Sequence, residues 1–340
     1  MKSPGLDLLI LGGTAWLGQR IAQAAVAAGH RVACLARGVA GPAPSGVEFV
    51  QADRSQPYAY AAVSARSWHA VIDLARQPGQ ARAAAQALRG SCQHALVVSS
   101  ISVYASHAAV GQDESAATLA PFQGDEFTAP TDYGAAKLAC EHAYLKAFGA
   151  QRCLIARPGL IAGPGDATDR TGYWPWRFAR AASAGQAAVL IPKAENQWTQ
   201  MLDARDLALW LLRSAENSVS AVVNAVGQAV PLSQFLNLAR EIAGHTGPLA
   251  TAPADWLMER GVKPWAGDGS LPLWVAMDSH AGFARYDGGL ATRLGLTRRT
   301  LQETIADVLV WEAQRPPSTE ARKAGLTDAQ QANLLGLLSV

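Results

Sequence analysis

The stretch Leu8-Leu9-Ile10-Leu11-Gly12-Gly13-Thr14-Ala15-Trp16-Leu17-Gly18 decides the fold of this chain. An apolar run ends at a glycine pair and an alanine-rich helical pattern follows at once, which predicts a strand, a tight turn and a helix. Such a turn places backbone N–H groups and the positive end of a helix dipole where a pyrophosphate can bind. We therefore predict a dinucleotide-binding βαβ unit. The loop has Ala15 where many such loops have glycine, and a glycine turn that binds nothing is the alternative.

Composition excludes several classes of protein. The 340 residues carry a net charge of +2 with scattered basic residues, which gives no reason to expect nucleic acid or an anionic membrane surface. The four cysteines have neither metal-ligand nor disulfide spacing, so we expect reduced thiols and no metal site. We expect no signal peptide before the first strand, and no apolar run in the sequence reaches the roughly 18 residues of a membrane span. We expect a cytoplasmic protein.

Strand and helix patterns alternate through the first half of the chain. This alternation predicts a Rossmann-type, doubly wound α/β fold with a parallel sheet and a smaller C-terminal substrate-binding lobe. The predicted strands are 6–11, 31–36, 47–51, 69–75, 94–99 and 151–156, and the predicted helices are 15–28, 78–90, 131–149, 204–216, 231–244 and 299–314. Residues 104–130 form a predicted long loop. The predicted domains are 1–160 with a return to the sheet over 199–226, a lobe of 161–198 and 227–315, and a tail of 316–340 with a helix near 327–338.

Tyr133 and Lys137 are spaced as neighbours on one helix face. A lysine one turn after a tyrosine brings positive charge towards the phenol, which favours the phenolate and lets the group exchange a proton near neutral pH. Ser99, Ser100 and Ser102 come after the apolar residues 95–98, at the strand end where open α/β sheets bind ligands. The alternatives are an ordinary surface pair and a turn that merely ends the strand.

These motifs together resemble the extended, atypical short-chain dehydrogenase/reductase superfamily, in its NAD-dependent epimerase/dehydratase-like branch. The resemblance covers roughly residues 6–315 and implies that Tyr133 is the general acid/base and that Lys137 binds the nicotinamide ribose. Ser100 would orient the substrate, and Asp53 would meet the adenine edge. The family often has Asn-Ala-Ala after the fourth strand, where this chain has Asp73-Leu74-Ala75-Arg76. The cofactor contacts that follow are Gly12, Thr14, Ala15, Trp16, Leu17, Gly18, Arg37, Asp53, Leu74, Ala75, Ser99, Lys137, Pro158 and Gly159.

The second predicted strand decides the choice of cofactor. It ends in Ala36-Arg37-Gly38 without a carboxylate, whereas NAD-binding proteins commonly place an acidic residue there to bond the ribose 2′-hydroxyl. Arg37 can instead pair with a 2′-phosphate. We predict NADP as the cofactor, with NAD as second choice.

Candidate substrate contacts follow the turn Gly163-Pro164-Gly165. They are Asp169, Arg170, Tyr173 and Trp174, together with Ser102, and the alternative is that the aromatic residues pack the core of the lobe. The resemblance implies an oxidoreductase acting on a small-molecule substrate. A nucleotide-sugar epimerase and a non-catalytic NAD(P)- or RNA-binding relative are the alternatives. Relatives pair two long helices across a dimer, so helices 78–90 and 131–149 suggest a homodimer.

Overall fold

The structure is a computed structural model that describes residues 5–275, 280–315 and 322–338. Its strands are β1 (Asp7–Leu11), β2 (Arg31–Ala36), β3 (Glu48–Gln51), β4 (Trp68–Asp73), β5 (Cys92–Val98), β6 (Cys153–Pro158), β7 (Leu160–Ala162), β8 (Val189–Pro192), β9 (Trp198–Asp203), β10 (Ala221–Ala225), β11 (Gln228–Pro231), β12 (Leu249–Ala252), β13 (Lys263–Trp265), β14 (Gly267–Asp268), β15 (Ser270–Pro272) and β16 (Ala324–Gly325). Its helices are α1 (Trp16–Ala27), α2 (Ala61–Ser64), α3 (Pro78–Leu88), α4 (Tyr133–Phe148), α5 (Tyr173–Ser183), α6 (Ala204–Glu216), α7 (Leu232–Ile242), α8 (Ala254–Glu259), α9 (Gly289–Arg293), α10 (Leu301–Gln314) and α11 (Asp328–Leu338).

The central sheet is parallel and has the strand order β10-β6-β5-β4-β1-β2-β3. The chain runs outward from β1 to β2 and β3, then crosses to the other side of β1 and continues through β4, β5 and β6. The carboxyl ends of β1 and β4 therefore flank a topological switch point, which is where open α/β sheets bind ligands. The predicted doubly wound α/β fold is confirmed.

Alternate residues of β1 supply the two faces of the sheet. Leu8 and Ile10 pack in one core cluster with α1 and α6, while Leu9 and Leu11 pack in another with α3 and α4. All four side chains are fully buried. Burial of such a side chain contributes about 1.5–3 kcal/mol, so the continuous apolar run of β1 fits a strand covered on both faces.

The C-terminal lobe differs in two respects from the prediction. Within the range 199–226 only β10 joins the central sheet, because β9 pairs with β7 and β11 in a separate three-stranded sheet. Helix α5 was not predicted, since its first residues are aromatic residues and Pro175, which are poor helix formers in a sequence pattern. Proline is nevertheless tolerated in a first helical turn, where its missing N–H has no partner to lose.

The tail helix α11 packs on the lobe. Its Leu334 belongs to the same buried cluster as residues of α5 and α7, and its Asp328 accepts a hydrogen bond from Arg177 (2.6 Å). The pair Pro316-Pro317, with which the predicted tail begins, lies outside the described residues. In the described part of the chain, no helix has an apolar stretch of the length needed to cross a membrane.

Candidate functional site

A cleft of about 430 Å³ lies at the carboxyl ends of β1, β2 and β4. Seven of the residues predicted to contact a cofactor line it, namely Gly12, Thr14, Ala15, Arg37, Asp53, Leu74 and Ala75. Gly12 has a φ of +93°, a backbone conformation that would be strained in a residue with a side chain. The glycine turn therefore forms part of the wall of a cavity that has room for a ligand.

The N-terminus of α1 opens towards this cleft. Ala15 at the N-cap makes no side-chain cap, and the first turn contains no acidic residue. No side-chain carboxylate therefore occupies the N–H groups of this turn. An anion-binding helix end requires such free N–H groups. Trp16 lies in this turn and its indole N–H donates to the Pro164 carbonyl oxygen (2.9 Å), while Leu17 and Gly18 are buried. These three residues could reach a pyrophosphate only through the backbone.

Arg37 and Asp53 form the outer rim of the cleft. Arg37 is exposed, and Asp53 accepts hydrogen bonds from the backbone N–H (3.0 Å) and hydroxyl (2.8 Å) of Ser55. These bonds, with a smaller effect of the Arg37 charge, lower the pKa of Asp53. The rim therefore presents a cation and a carboxylate to a ligand in the cleft.

A buried ion pair that the sequence did not predict supports the floor of the cleft. Arg54 donates two hydrogen bonds (both 2.7 Å) to Asp73, which is fully buried. Asp73 also accepts from the Tyr144 hydroxyl (2.6 Å) and from the backbone N–H of Ala75 (2.8 Å). Burial, followed by the charge of Asp73, raises the pKa of Tyr144 well above its usual range. The pair fixes the backbone that carries Leu74 and Ala75 into the cleft.

A second cavity of about 560 Å³ adjoins the cleft. It brings together Ser100, Ser102, Tyr133 and Arg170, which sequence reasoning had placed in two different groups. Gly159 also lines this cavity rather than the cleft, whereas Pro158 is buried at the end of β6. Arg76, Phe127 and Thr128 line both cavities. They therefore form a shared wall between the two spaces.

Tyr133 is the first residue of α4 and is partly exposed. The Arg76 guanidinium lies 5.6 Å from the centroid of its ring, and Phe127 meets it edge to face at 6.1 Å. Ser100 caps the short 3-10 turn Ile101–Val103, since its hydroxyl accepts from the N–H of Ser102 and donates to the Ser102 hydroxyl (both 3.1 Å). A phenol and two hydroxyls thus converge on one cavity, in an arrangement able to bind and protonate a substrate oxygen.

Lys137 does not reach either cavity in this structure. Its side chain is buried, and its ammonium donates hydrogen bonds to the carbonyl oxygens of Ala75 and Val98. Val98 is the last residue of β5, and Ala75 lies just beyond the end of β4. The lysine therefore links the carboxyl ends of two neighbouring strands. The ribose contact implied by the resemblance stays a prediction, because it requires the ammonium to exchange a carbonyl for the ligand.

Four residues that were predicted to contact the cofactor or the substrate have side chains that point elsewhere. Ser99 is buried and donates its hydroxyl to Glu141, which is itself held by Arg157 through two hydrogen bonds (3.0 and 2.7 Å). Asp169 is buried and is paired with Arg315. Tyr173 and Trp174 have no exposed surface and pack in the core of the lobe, in accord with the alternative given above. None of these four side chains lines either cavity.

Sequence reasoning missed the shared wall. Arg76 lies three residues after the end of β4, in a segment that had been considered only for its backbone. Its position near the carboxyl end of a strand was the available signal. Phe127 and Thr128 belong to the long loop 104–130, and nothing in a loop pattern tells which of its residues turns inward. In the described residues no group of three or more His, Cys, Asp or Glu side chains could hold a metal ion.

The switch-point cleft, the open helix end and the adjoining hydroxyl-lined cavity define a dinucleotide-binding α/β enzyme. Comparison with known families agrees: the model of the NAD dependent epimerase/dehydratase family matches residues 8–226, and the chain belongs to that family. The chain is therefore an enzyme of an NAD-dependent family. No curated protein matches the sequence significantly.

Solved structures share the fold at low sequence identity. A proposed epimerase from Burkholderia cenocepacia J2315 is 22% identical with a TM-score of 0.69, over 91% of this chain and 99% of that one. UDP-glucuronic acid 4-epimerase from Bacillus cereus, solved in complex with NAD, is 15% identical (TM-score 0.65; 91% and 99%). UDP-N-acetylglucosamine 4-epimerase from Bacillus cereus is 17% identical (TM-score 0.65; 92% and 99%). At these identities the likeness shows the fold alone.

Proposed function

We propose that the chain catalyses hydride transfer to or from a carbon bearing oxygen in a small-molecule substrate. The proposal rests on one observation. Tyr133, Ser100 and Ser102 line the second cavity, and this cavity shares a wall with the cleft that Gly12 lines. A bound nicotinamide cofactor would supply or accept the hydride. The two serine hydroxyls would orient the substrate oxygen, and in the reducing direction the Tyr133 hydroxyl would give that oxygen its proton.

The test compares Tyr133→Phe with the wild type in the oxidation of NADPH or NADH by a panel of ketones and aldehydes. Loss of the phenolic proton should lower kcat by roughly 10²–10⁴-fold. Tyr58→Phe is the matched control, because Tyr58 is 90% exposed and touches neither cavity. A Tyr133→Phe variant with the wild-type rate would exclude this role and favour the non-catalytic alternative.

We propose NADP as the preferred cofactor and NAD as the second choice, within the NAD-dependent family. Arg37 supports this because it is exposed on the rim of the cleft and forms no ion pair within 4 Å in the described residues. Arg37→Gln should weaken NADPH binding by roughly 10–100-fold, the range for a hydrogen bond to a charged group. NADH binding to the same variant serves as the control. Equal weakening of both cofactors would contradict a 2′-phosphate contact.

A nucleotide-sugar epimerase is the second candidate, favoured by the family match over residues 8–226. The same tyrosine would then serve a transient oxidation, and the cofactor would be regenerated within each turnover. The two reactions differ in cofactor balance. Net loss of absorbance of the reduced cofactor supports the reductase, whereas product interconversion without net loss supports the epimerase.

A further inference from the structure

The second cavity has a one-sided charge. Two arginines, Arg76 and Arg170, line it, and no aspartate or glutamate is among its lining residues. Within the described ranges neither guanidinium has a carboxylate oxygen within 4 Å. A guanidinium that is partly removed from water usually has a carboxylate partner, because desolvation of a charge is costly. Arg170 is partly buried and lacks such a partner, and the exposed Arg76 adds a second positive charge to the same cavity, so the cavity favours a negatively charged ligand.

Arg170 is held in a defined position. Its Nε donates to the Thr168 hydroxyl (3.1 Å), and Thr168 in turn donates to Asp166 (2.7 Å). Its guanidinium lies 5.3 Å from the ring centroid of Trp265, a residue whose φ of +67° is strained for a side chain of this size. Burial lowers the pKa of Arg170, and the charge of Asp166 opposes this effect. The terminal nitrogens have no hydrogen-bond partner in the described part of the chain.

Both arginines share a cavity with the same tyrosine. The Arg76 guanidinium lies 5.6 Å from the Tyr133 ring centroid, and Arg170 lines the cavity that Tyr133 also lines. A proton donor must come within about 3 Å of the substrate oxygen that it protonates. A substrate oxygen at Tyr133 and an anionic group at Arg170 would therefore occupy one cavity of about 560 Å³. Phe127, Trp265 and Phe283 complete the cavity with apolar ring surface.

We propose that Arg170, assisted by Arg76, binds a carboxylate of the substrate next to the reacting carbon, so that the substrate is a small oxo or hydroxy acid with an apolar side chain. The planar fork of arginine matches a carboxylate with two parallel hydrogen bonds. This inference rests on the proposed function for the chemistry at Tyr133, but the anion site itself can be tested separately.

The first experiment measures binding without turnover. Benzoate and its neutral counterpart benzamide are titrated calorimetrically into the full chain, into Arg170→Gln and into Arg260→Gln. Arg260 is the matched control because it stacks on Trp256 (4.1 Å) as Arg170 does on Trp265, yet lies on the surface away from both cavities. We expect Arg170→Gln to weaken benzoate binding by roughly 10–100-fold and to leave benzamide unchanged. Benzoate binding that equals benzamide binding, or survives in Arg170→Gln, overturns the proposal.

The second experiment measures turnover of 3-phenyl-2-oxopropanoate and 4-methyl-2-oxopentanoate against their methyl esters with NADPH and NADH. The acids should have the higher kcat/KM, and Arg170→Lys should recover part of what Arg170→Gln loses. Turnover of the esters that equals that of the acids and is unaffected at Arg170 contradicts the carboxylate site while the proposed function stands. Arg170-dependent benzoate binding without any turnover of carbonyl compounds contradicts the proposed function while the anion site stands.

Discussion

Lys137 and Ala75 are joined by a hydrogen bond from a buried ammonium to a backbone carbonyl oxygen, and a second bond from the same ammonium reaches Val98. Ala75 lines the first cleft, and Val98 lies two residues before Ser100, which lines the second cavity. One cation thus holds both the floor of the cleft and the strand end beside the substrate space. This role is structural, and it differs from the ribose contact that the resemblance implies.

Substitution Lys137→Met should therefore destabilise the protein as well as impair the site. Two buried carbonyls lose their donor, which costs about 1–3 kcal/mol in the free energy of unfolding. Lys146→Met is the control, because Lys146 is exposed on the same helix, and it should change stability by less than about 0.5 kcal/mol. Denaturant unfolding measures both. A Lys137→Met variant as stable as the wild type would contradict a structural role for these bonds.

Gly134 determines how closely Tyr133 approaches the serine turn. A Cβ at this position would clash with the carbonyl oxygen of Ser102, which is part of the 3-10 turn beside α4. Gly134→Ala should push α4 away from that turn and lower kcat by more than tenfold, since a displacement of about 1 Å at a catalytic group can cost 10²-fold. Catalytic assay and denaturant unfolding are measured together.

Gly336→Ala provides the matched control for Gly134→Ala. Gly336 also lies in a helix, and a Cβ there meets open space. Replacing a helix glycine with alanine without a clash should stabilise the protein by about 0.5–1 kcal/mol and leave the rate unchanged. If Gly134→Ala also gained stability and kept its rate, the close approach of α4 would not matter for the site.

The sequence predicted the sheet and the turn because their signals are local. The apolar run of β1, the glycine turn and the Tyr133 helix each lie within a few adjacent residues, and the structure places them as expected. The lobe was harder because its contacts join distant residues. The Trp174 indole, for example, donates to the carbonyl oxygen of Pro272 (2.8 Å), nearly a hundred positions away. A tryptophan near a turn looks the same in sequence whether it faces a ligand or a core.

The charged residues show the same limit. Arg54 lies one residue after a predicted adenine contact, Asp53, yet it turns inward to pair with Asp73. Asp73 was recognised only as a departure from the family's usual asparagine. Whether a carboxylate is exposed or paired depends on a partner 19 positions away, and neither periodicity nor spacing contains that information.

Substitution Asp73→Asn is expected to be strongly destabilising although it restores the residue common in the family. It leaves the Arg54 charge buried without a carboxylate, and breaking a buried pair from one side costs about 3–5 kcal/mol. Asp7→Asn is the matched control, because Asp7 is held by Arg31 in a similar two-bond pair that is exposed, worth only about 0–1 kcal/mol. Equal effects of the two substitutions on the free energy of unfolding would show that burial of the pair is unimportant.

Asp203 should make the free energy of unfolding depend on pH. It caps α6 by accepting the backbone N–H of Arg205 (2.9 Å) and also accepts from the Arg205 side chain and from Thr304 (3.1 Å) of α10. Burial opposes ionisation, but the hydrogen bonds from Arg205 and the charges of Arg205 and Arg299 outweigh it and lower the pKa of Asp203 below 3.8. The stability that the carboxylate contributes is thus complete above the unfolded value and is lost as pH falls through the lower, folded value.

The expected outcome for Asp203→Asn follows from this sign. At pH 6 the variant should be less stable than the wild type by about 1–3 kcal/mol, the range for hydrogen bonds to a charged group. The difference should shrink as pH falls below the ordinary pKa of an aspartate and through the lower pKa of Asp203 in the folded state, because the wild type then loses the same charge. Asp307→Asn removes the exposed partner of the same Arg205 and should cost at most about 1 kcal/mol. If the difference in the free energy of unfolding between Asp203→Asn and the wild type does not change with pH, the charge of Asp203 does not stabilise the contact of α6 with the lobe. The helix cap would then be the stabilising interaction.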